Sequence, residues 1–122
     1  MARHMYNRKQ AIEKEVKDLY LEVSFGASGA PTIVSGYGFS SISRTSAGLY
    51  LVTLDAKYQA LKFVEGIFKW TTAQDIRVQL KEEAVRSANT FSIFTLTGAS
   101  ATDPSSGNSI LLKVEVKNTS AV

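Results

Sequence analysis

Strict side-chain alternation confines most of this chain to β-structure. In Leu49–Leu54, residues Tyr50, Val52 and Leu54 fall on one face, and Leu49, Leu51 and Thr53 on the other. A period of two with branched and aromatic residues marks a half-buried strand. The extended run Phe39–Arg44 precedes it, joined by the short polar connection Thr45-Ser46-Ala47-Gly48. Two such runs around a Gly-containing turn spell a β-hairpin. The following Asp55–Leu61 is too short and polar to continue the strand. It reads as one helical turn or a corner that drops Tyr58 and Leu61 onto the core.

The same period recurs on both sides of this hairpin. Leu19, Leu21, Val23 and Phe25 point one way, and Tyr20, Glu22 and Ser24 the other. Gly26–Pro31 carries turn chemistry, Thr32–Ser35 is a short strand, and Gly36-Tyr37-Gly38 lets the backbone bend. In Phe63–Trp70, residues Val64, Phe68 and Trp70 share a face with Gly66. A glycine inside a strand implies a bulge or the close approach of another element. Ile76, Val78 and Leu80 alternate with Arg77, Gln79 and Lys81, whereas the polar Glu82–Asn89 reads as a loop or a loose helical turn. Phe91–Thr97 is a buried strand, and Gly98–Ser109 is a long loop of small residues. Ile110, Leu112, Val114 and Val116 face inward from the last strand. Lys113, Glu115 and Lys117 face outward, where their charges would blunt an exposed edge.

About seven or eight strands separated by turn signals predict an all-β domain, an antiparallel β-sandwich or flattened barrel over residues 19–122. The segment before it, residues 1–18, contains the one stretch with helix-friendly composition, Tyr6–Asp18. Its apolar content is thin. It is expected to be either a frayed arm or a short helix that packs on something else, such as a neighbouring subunit. Tyr6, Arg8, Lys9, Ile12 and Val16 are the candidate partner-binding residues of this segment.

Function classes are narrowed mainly by exclusion. The net charge is +3, but Lys and Arg are spread along the chain, with Arg3, Arg8 and Lys9 the one local excess. Nucleic-acid binding needs clustered cations, so no nucleic-acid partner is expected. The longest apolar runs fall far short of the roughly 20 residues that cross a bilayer. The first nine residues have no apolar region behind their charges, so no secretory signal is expected.

The chain has no cysteine and one histidine, His4, which by itself makes neither a metal cluster nor a catalytic triad. Glu82 and Glu83 are adjacent and read as solvated. Asp103 reads as a turn cap before Pro104, because the run lacks the spaced carboxylates of a calcium loop. No glycine-rich phosphate cradle is present. An enzyme, a cofactor and a small-molecule substrate are therefore not expected. The aromatics Tyr20, Tyr37, Tyr50, Phe63, Phe68, Trp70, Phe91 and Phe94 would suit a sugar-stacking platform if exposed. Alternation sends most of them inward and leaves Tyr20 and Tyr37 on or beside outward positions.

Two stretches carry a family resemblance. The first is Gly38-Phe39-Ser40-Ser41-Ile42-Ser43-Arg44-Thr45 followed by Gly48-Leu49-Tyr50-Leu51-Val52-Thr53-Leu54, Tyr58 and Leu61. The second is Thr102-Asp103-Pro104-Ser105-Ser106-Gly107-Asn108-Ser109-Ile110, continuing through Leu112, Val114, Val116-Lys117-Asn118 and Ser120. Over residues 36–120 the chain resembles small virion accessory proteins of tailed bacteriophages, of the capsid decoration or cement kind. The resemblance implies a structural protein on the outer surface of the capsid, made in the host bacterial cytoplasm and bound to the major capsid protein. It implies a homo-oligomer, a trimer in the first instance, and transfers no active-site residue. A neck, tail or head-fibre component, and a carbohydrate-binding adhesion module, are the alternatives.

Overall fold

The structure, a computed structural model, describes residues 16–117. Among the described residues nine strands run in chain order: β1 (Val16–Phe25), β2 (Pro31–Gly36), β3 (Phe39–Ser46), β4 (Leu49–Leu54), β5 (Ala60–Lys69), β6 (Arg77–Ala84), β7 (Thr90–Thr97), the two-residue β8 (Ser100–Ala101) and β9 (Ser109–Lys117). They form two antiparallel sheets, one ordered β2-β1-β9-β5 and the other β3-β4-β7-β6 with β8 added on β7. The architecture is the expected all-β sandwich.

Alternation decides what the two sheets bury. Leu19, Leu21, Val23 and Phe25 of β1 meet Ile110, Leu112, Val114 and Val116 of β9 in one inner face. Tyr50, Val52 and Leu54 of β4, with Phe91 and Ile93 of β7, make the other. All of these residues are buried. Each large apolar side chain removed from water stabilises the fold by roughly 1.5–3 kcal/mol, which is what holds two such faces together. Phe25 ties the layers, its ring lying edge-on to Tyr50 at 5.3 Å and tilted against Phe68 at 6.2 Å.

The central hairpin is β3–β4, closed by Ala47-Gly48. The expected corner after β4 also forms, without a helical turn: Tyr58 is buried and Leu61 packs against the core. Gly66 is the predicted close approach, since a Cβ there would lie 2.7 Å from Leu112 Cδ2. The bulge of β5 sits elsewhere, between Leu61 and Phe63.

Four expectations need correction. Of the helix read over Tyr6–Asp18, residues 6–15 lie outside the described residues and the last three are strand. Val16, Lys17 and Asp18 pair with Lys117, Val116 and Glu115, so β-structure already includes the three residues before Leu19. The ladder hydrogen bonds and the partner strand override a weak helical propensity there. Second, Glu82–Ala84 belong to β6 rather than to a loop, and Val85 behind them is fully buried. Third, Leu80 is 39% exposed although it pairs with the buried Ile93 and shares the inner parity of Val78, because β6 is the outermost strand of its sheet. Finally, β9 is no edge strand. It lies between β1 and β5, so Lys113 and Glu115 belong to the middle of a sheet surface.

Candidate functional site

Two features gather polar or exposed groups. One is an end clasp. Arg44, near the end of β3, donates from Nε and Nη2 to the two oxygens of Asp103, both at 2.9 Å. The Gly48 N–H donates to Asp103 Oδ1 at 2.9 Å. The hydroxyl of the buried Tyr50 donates to the Gly29 carbonyl at 2.7 Å and lies 3.5 Å from Asp103 Oδ1. The Arg44 hydrogen bonds hold the Asp103 carboxyl below the usual carboxylate range, with help from the Gly48 N–H. Burial pushes the Tyr50 hydroxyl well above the ordinary tyrosine range, and the neighbouring Asp103 charge adds to the shift.

Asp103 is thus not a local turn cap. It joins the β8–β9 loop to the β3–β4 turn, 59 residues away from Arg44. Every member already has its partner and the tyrosine is held protonated. That chemistry suits a fastener and leaves no group poised to attack a substrate. A second fastener is the amide pair Gln74–Asn108, in which Asn108 Nδ2 donates to Gln74 Oε1 at 2.7 Å while Asn108 itself is fully buried.

The other feature is the outer face of the sheet β2-β1-β9-β5. Register places its side chains in rows across three strands. Asp18, Glu115 and Phe63 form one row; Tyr20, Lys113 and Glu65 the next; Glu22, Leu111 and Ile67 the third; Ser24, Ser109 and Lys69 the fourth. The apolar members stand in solvent: Tyr20 is 59% exposed, Ile67 61%, Phe63 51% and Leu111 37%. Tyr20 and Leu111 line two shallow depressions of about 200 and 230 Å³. Ile67, Glu65 and Lys113 complete the first, and Glu22 and Ser35 help wall the second. Lys69 pairs with Glu22 at 3.3 Å, spanning β9. The face mixes exposed apolar side chains with charges, Lys113 and Glu115 standing on the central strand between them; a cluster of exposed apolar groups rimmed by polar ones is the make-up of an interaction surface.

Of the candidate partner-binding residues, Tyr6, Arg8, Lys9 and Ile12 lie outside the described residues. Val16 opens β1, half-buried and paired with Lys117. Tyr20 and Tyr37 are exposed as their positions suggest, Tyr37 at 80%. Ile67 and Leu111 were not singled out by pattern, and Phe63 was named only among the aromatics expected mostly inside. Their signal is the outward parity of β5 and β9, which reads as function only once the strand order sets them beside Tyr20. Glu82 and Glu83 serve locally, Glu82 pairing with Lys81 and Glu83 accepting from the Val85 N–H. Among the described residues no group of His, Asp and Glu is placed to hold a metal ion. No family model, curated protein or solved structure matches the chain.

Proposed function

We propose that this protein is a structural component of a tailed-phage virion, a capsid decoration or cement protein that bridges major capsid protein subunits on the outside of the head. The observation that carries the reading is the outer face of the four-stranded sheet. Tyr20, Phe63, Ile67 and Leu111 stand in solvent there, on a sandwich whose core is otherwise closed. Apolar residues kept on a flat sheet surface are stable in a partner's company rather than in water.

The resemblance stated for Gly38–Leu61 and Thr102–Ser120 supports the same reading. Its two halves meet in one place, since Arg44, Gly48 and Tyr50 from the first converge on Asp103 from the second. Attachment uses the N-terminal segment together with this face. Repetition over a symmetric shell, as a trimer, supplies avidity without tight single contacts. No catalytic step is assigned.

Antibody labelling of intact particles tests the reading. Label spread over the head supports decoration; label at a single vertex makes the protein a neck or tail component; unlabelled particles remove it from the virion. One observation favours a second reading, a carbohydrate-binding module. Tyr20 borders both depressions on the outer face, and Tyr37 follows β2 with its ring exposed. Aromatic faces beside shallow grooves suit sugar stacking. Glycan-array binding that disappears in Tyr20→Ala would support that alternative, and a silent array would dispose of it.

A further inference from the structure

The two lateral sides of the sandwich differ in charge. β2 lies beside β3 on one side, and β5 beside β6 on the other. From Val23 to Ser43 the chain has no charged residue, and this run holds all of β2, the corner after it and most of β3. β5 and β6 carry charges of both signs, among them Lys62, Glu65, Lys81 and Glu82. Charged edge strands resist pairing with other strands, and an uncharged edge lacks that protection. Bulges bend both uncharged edges, at Val34 in β2 and near each end of β3, but Ser41–Arg44 keeps an unbroken register. Of the charges bordering this side, Glu22 pairs with Lys69, and Arg44 and Asp103 close on each other. Asp55 and Lys17, of opposite sign, stand toward the end at which Gly38 turns the chain.

The β2–β3 side is open as well as uncharged. Val34 is 56% exposed and Tyr37 80%, and Ile33 and Ile42 are only partly covered where they pack on the core. Along an antiparallel strand, alternate residues turn their backbone groups to the same neighbour. The Tyr37 N–H bonds the Tyr20 carbonyl, and the Asp55 N–H bonds the Gly38 carbonyl. Carried along each register, this turns Ser35 and Thr32 to β1, and Ser41 and Ser43 to β4. Ile33 and Ile42 therefore direct their N–H and carbonyl groups away from their own sheets, toward the open side.

Strand direction makes this side self-complementary. β2 ends and β3 begins at one corner, so the two run in opposite directions. A rotation axis parallel to the strands brings the β2-bearing sheet of one copy into line with the β3-bearing sheet of the next. There β2 of one copy lies antiparallel beside β3 of the other. Two uncharged sides brought together in this way strip no charge of water and oppose no like charges. We propose that copies of this protein associate through the β2–β3 side around such an axis, β2 of each copy pairing with β3 of the next. Two or three copies close the arrangement and leave no such edge free to extend it. The contact does not depend on the virion reading, and it gives that reading's trimer an interface that leaves the outer face of β2-β1-β9-β5 clear.

Sedimentation velocity and hydrogen exchange on the full-length protein test it. The expected result is a closed oligomer in which the Ile33 and Ile42 amides exchange slowly. Val34→Lys with Ser41→Lys should give a monomer in which both amides exchange rapidly. Both positions are exposed, and an unchanged circular dichroism spectrum would show that the variant is folded. Should it not fold, exchange in the parent still decides. Tyr20→Ser with Ile67→Ser, on the outer face, should leave the oligomer as it is. A monomeric parent would overturn the proposal, as would an oligomer that survives both lysines or leaves those amides in fast exchange. A dimer abolished by the lysines would keep the contact and remove the trimer from the virion reading. Unlabelled particles would leave the contact standing, and a monomer would leave decoration of the head open.

Discussion

The Arg44 guanidinium binds Asp103 in a two-pronged contact, both nitrogen–oxygen distances being 2.9 Å, across 59 residues of chain. This pair locks the turn of the central hairpin to the loop that feeds β9. Asp103→Ala removes the partner of the Gly48 N–H as well as that of Arg44. The expected loss of stability is about 1–3 kcal/mol, measured by urea unfolding. Arg44→Met should cost less, because the Asp103 carboxylate left behind keeps the Gly48 N–H and some contact with solvent.

The same pair sets an acid limit. Asp103 has a folded-state pKa below its unfolded value, because Arg44 and Gly48 stabilise the carboxylate. Its contribution is therefore complete above about pH 4, the ordinary carboxylate value, and is lost as pH falls through the depressed folded value. Unfolding midpoints taken from pH 6 down to pH 2 should drop more steeply for the parent than for Asp103→Asn. Parallel curves would remove the pair from the acid response.

Tyr50 sits in the core with its hydroxyl on the Gly29 carbonyl at 2.7 Å. Tyr50→Phe keeps the ring and its edge contact with Phe25 but leaves that carbonyl without its donor. A loss of about 1–2 kcal/mol is expected in thermal or urea unfolding. A neutral result would mean that the Gly29 carbonyl finds another donor.

Gly48 is the backbone position least able to change. Its φ is +67°, and a Cβ there would overlap the backbone of Ala101 and Thr102. Backbone atoms cannot swing aside as a side chain would. Gly48→Ala should cost at least about 2 kcal/mol, combining left-handed strain with the overlap. By contrast Gly98→Ala meets no neighbouring atom within 4 Å and carries the strain of its φ of +62° alone. The difference between these two variants isolates the overlap.

Much of this fold was legible because burial in a sandwich imposes a period of two. Tyr50, Val52 and Leu54 fall inward by parity alone, as do the four apolar residues of β9. Val85 was hidden, since one apolar residue among Glu82, Glu83, Arg86 and Ser87 looks like loop while its side chain is fully buried. Strand order was not legible either. The chain gives no local sign that β9 inserts between β1 and β5, and that insertion is what assembles Tyr20, Leu111 and Ile67 into one surface. Arg44 and Asp103 both lie in the two stretches that carry the resemblance, yet their pairing depends on how the loop after β8 folds back on the hairpin.

The outer-face residues carry function and little stability on this view. Tyr20→Ser and Ile67→Ser are each expected to move stability by no more than about 0.5 kcal/mol, because both side chains are already more than half in water. Together they should weaken attachment to shells that lack the protein, read by co-sedimentation. Unchanged co-sedimentation would shift attachment to other surfaces.

The most direct measurement is a reconstruction of the virus particle at a resolution that separates sheets. Copies of this sandwich repeated over the head shell, with Tyr20 and Ile67 on the side toward the capsid lattice, are the predicted result. A head bare of this protein, or copies docked through the opposite sheet with Tyr20 and Ile67 left in solvent, would contradict it.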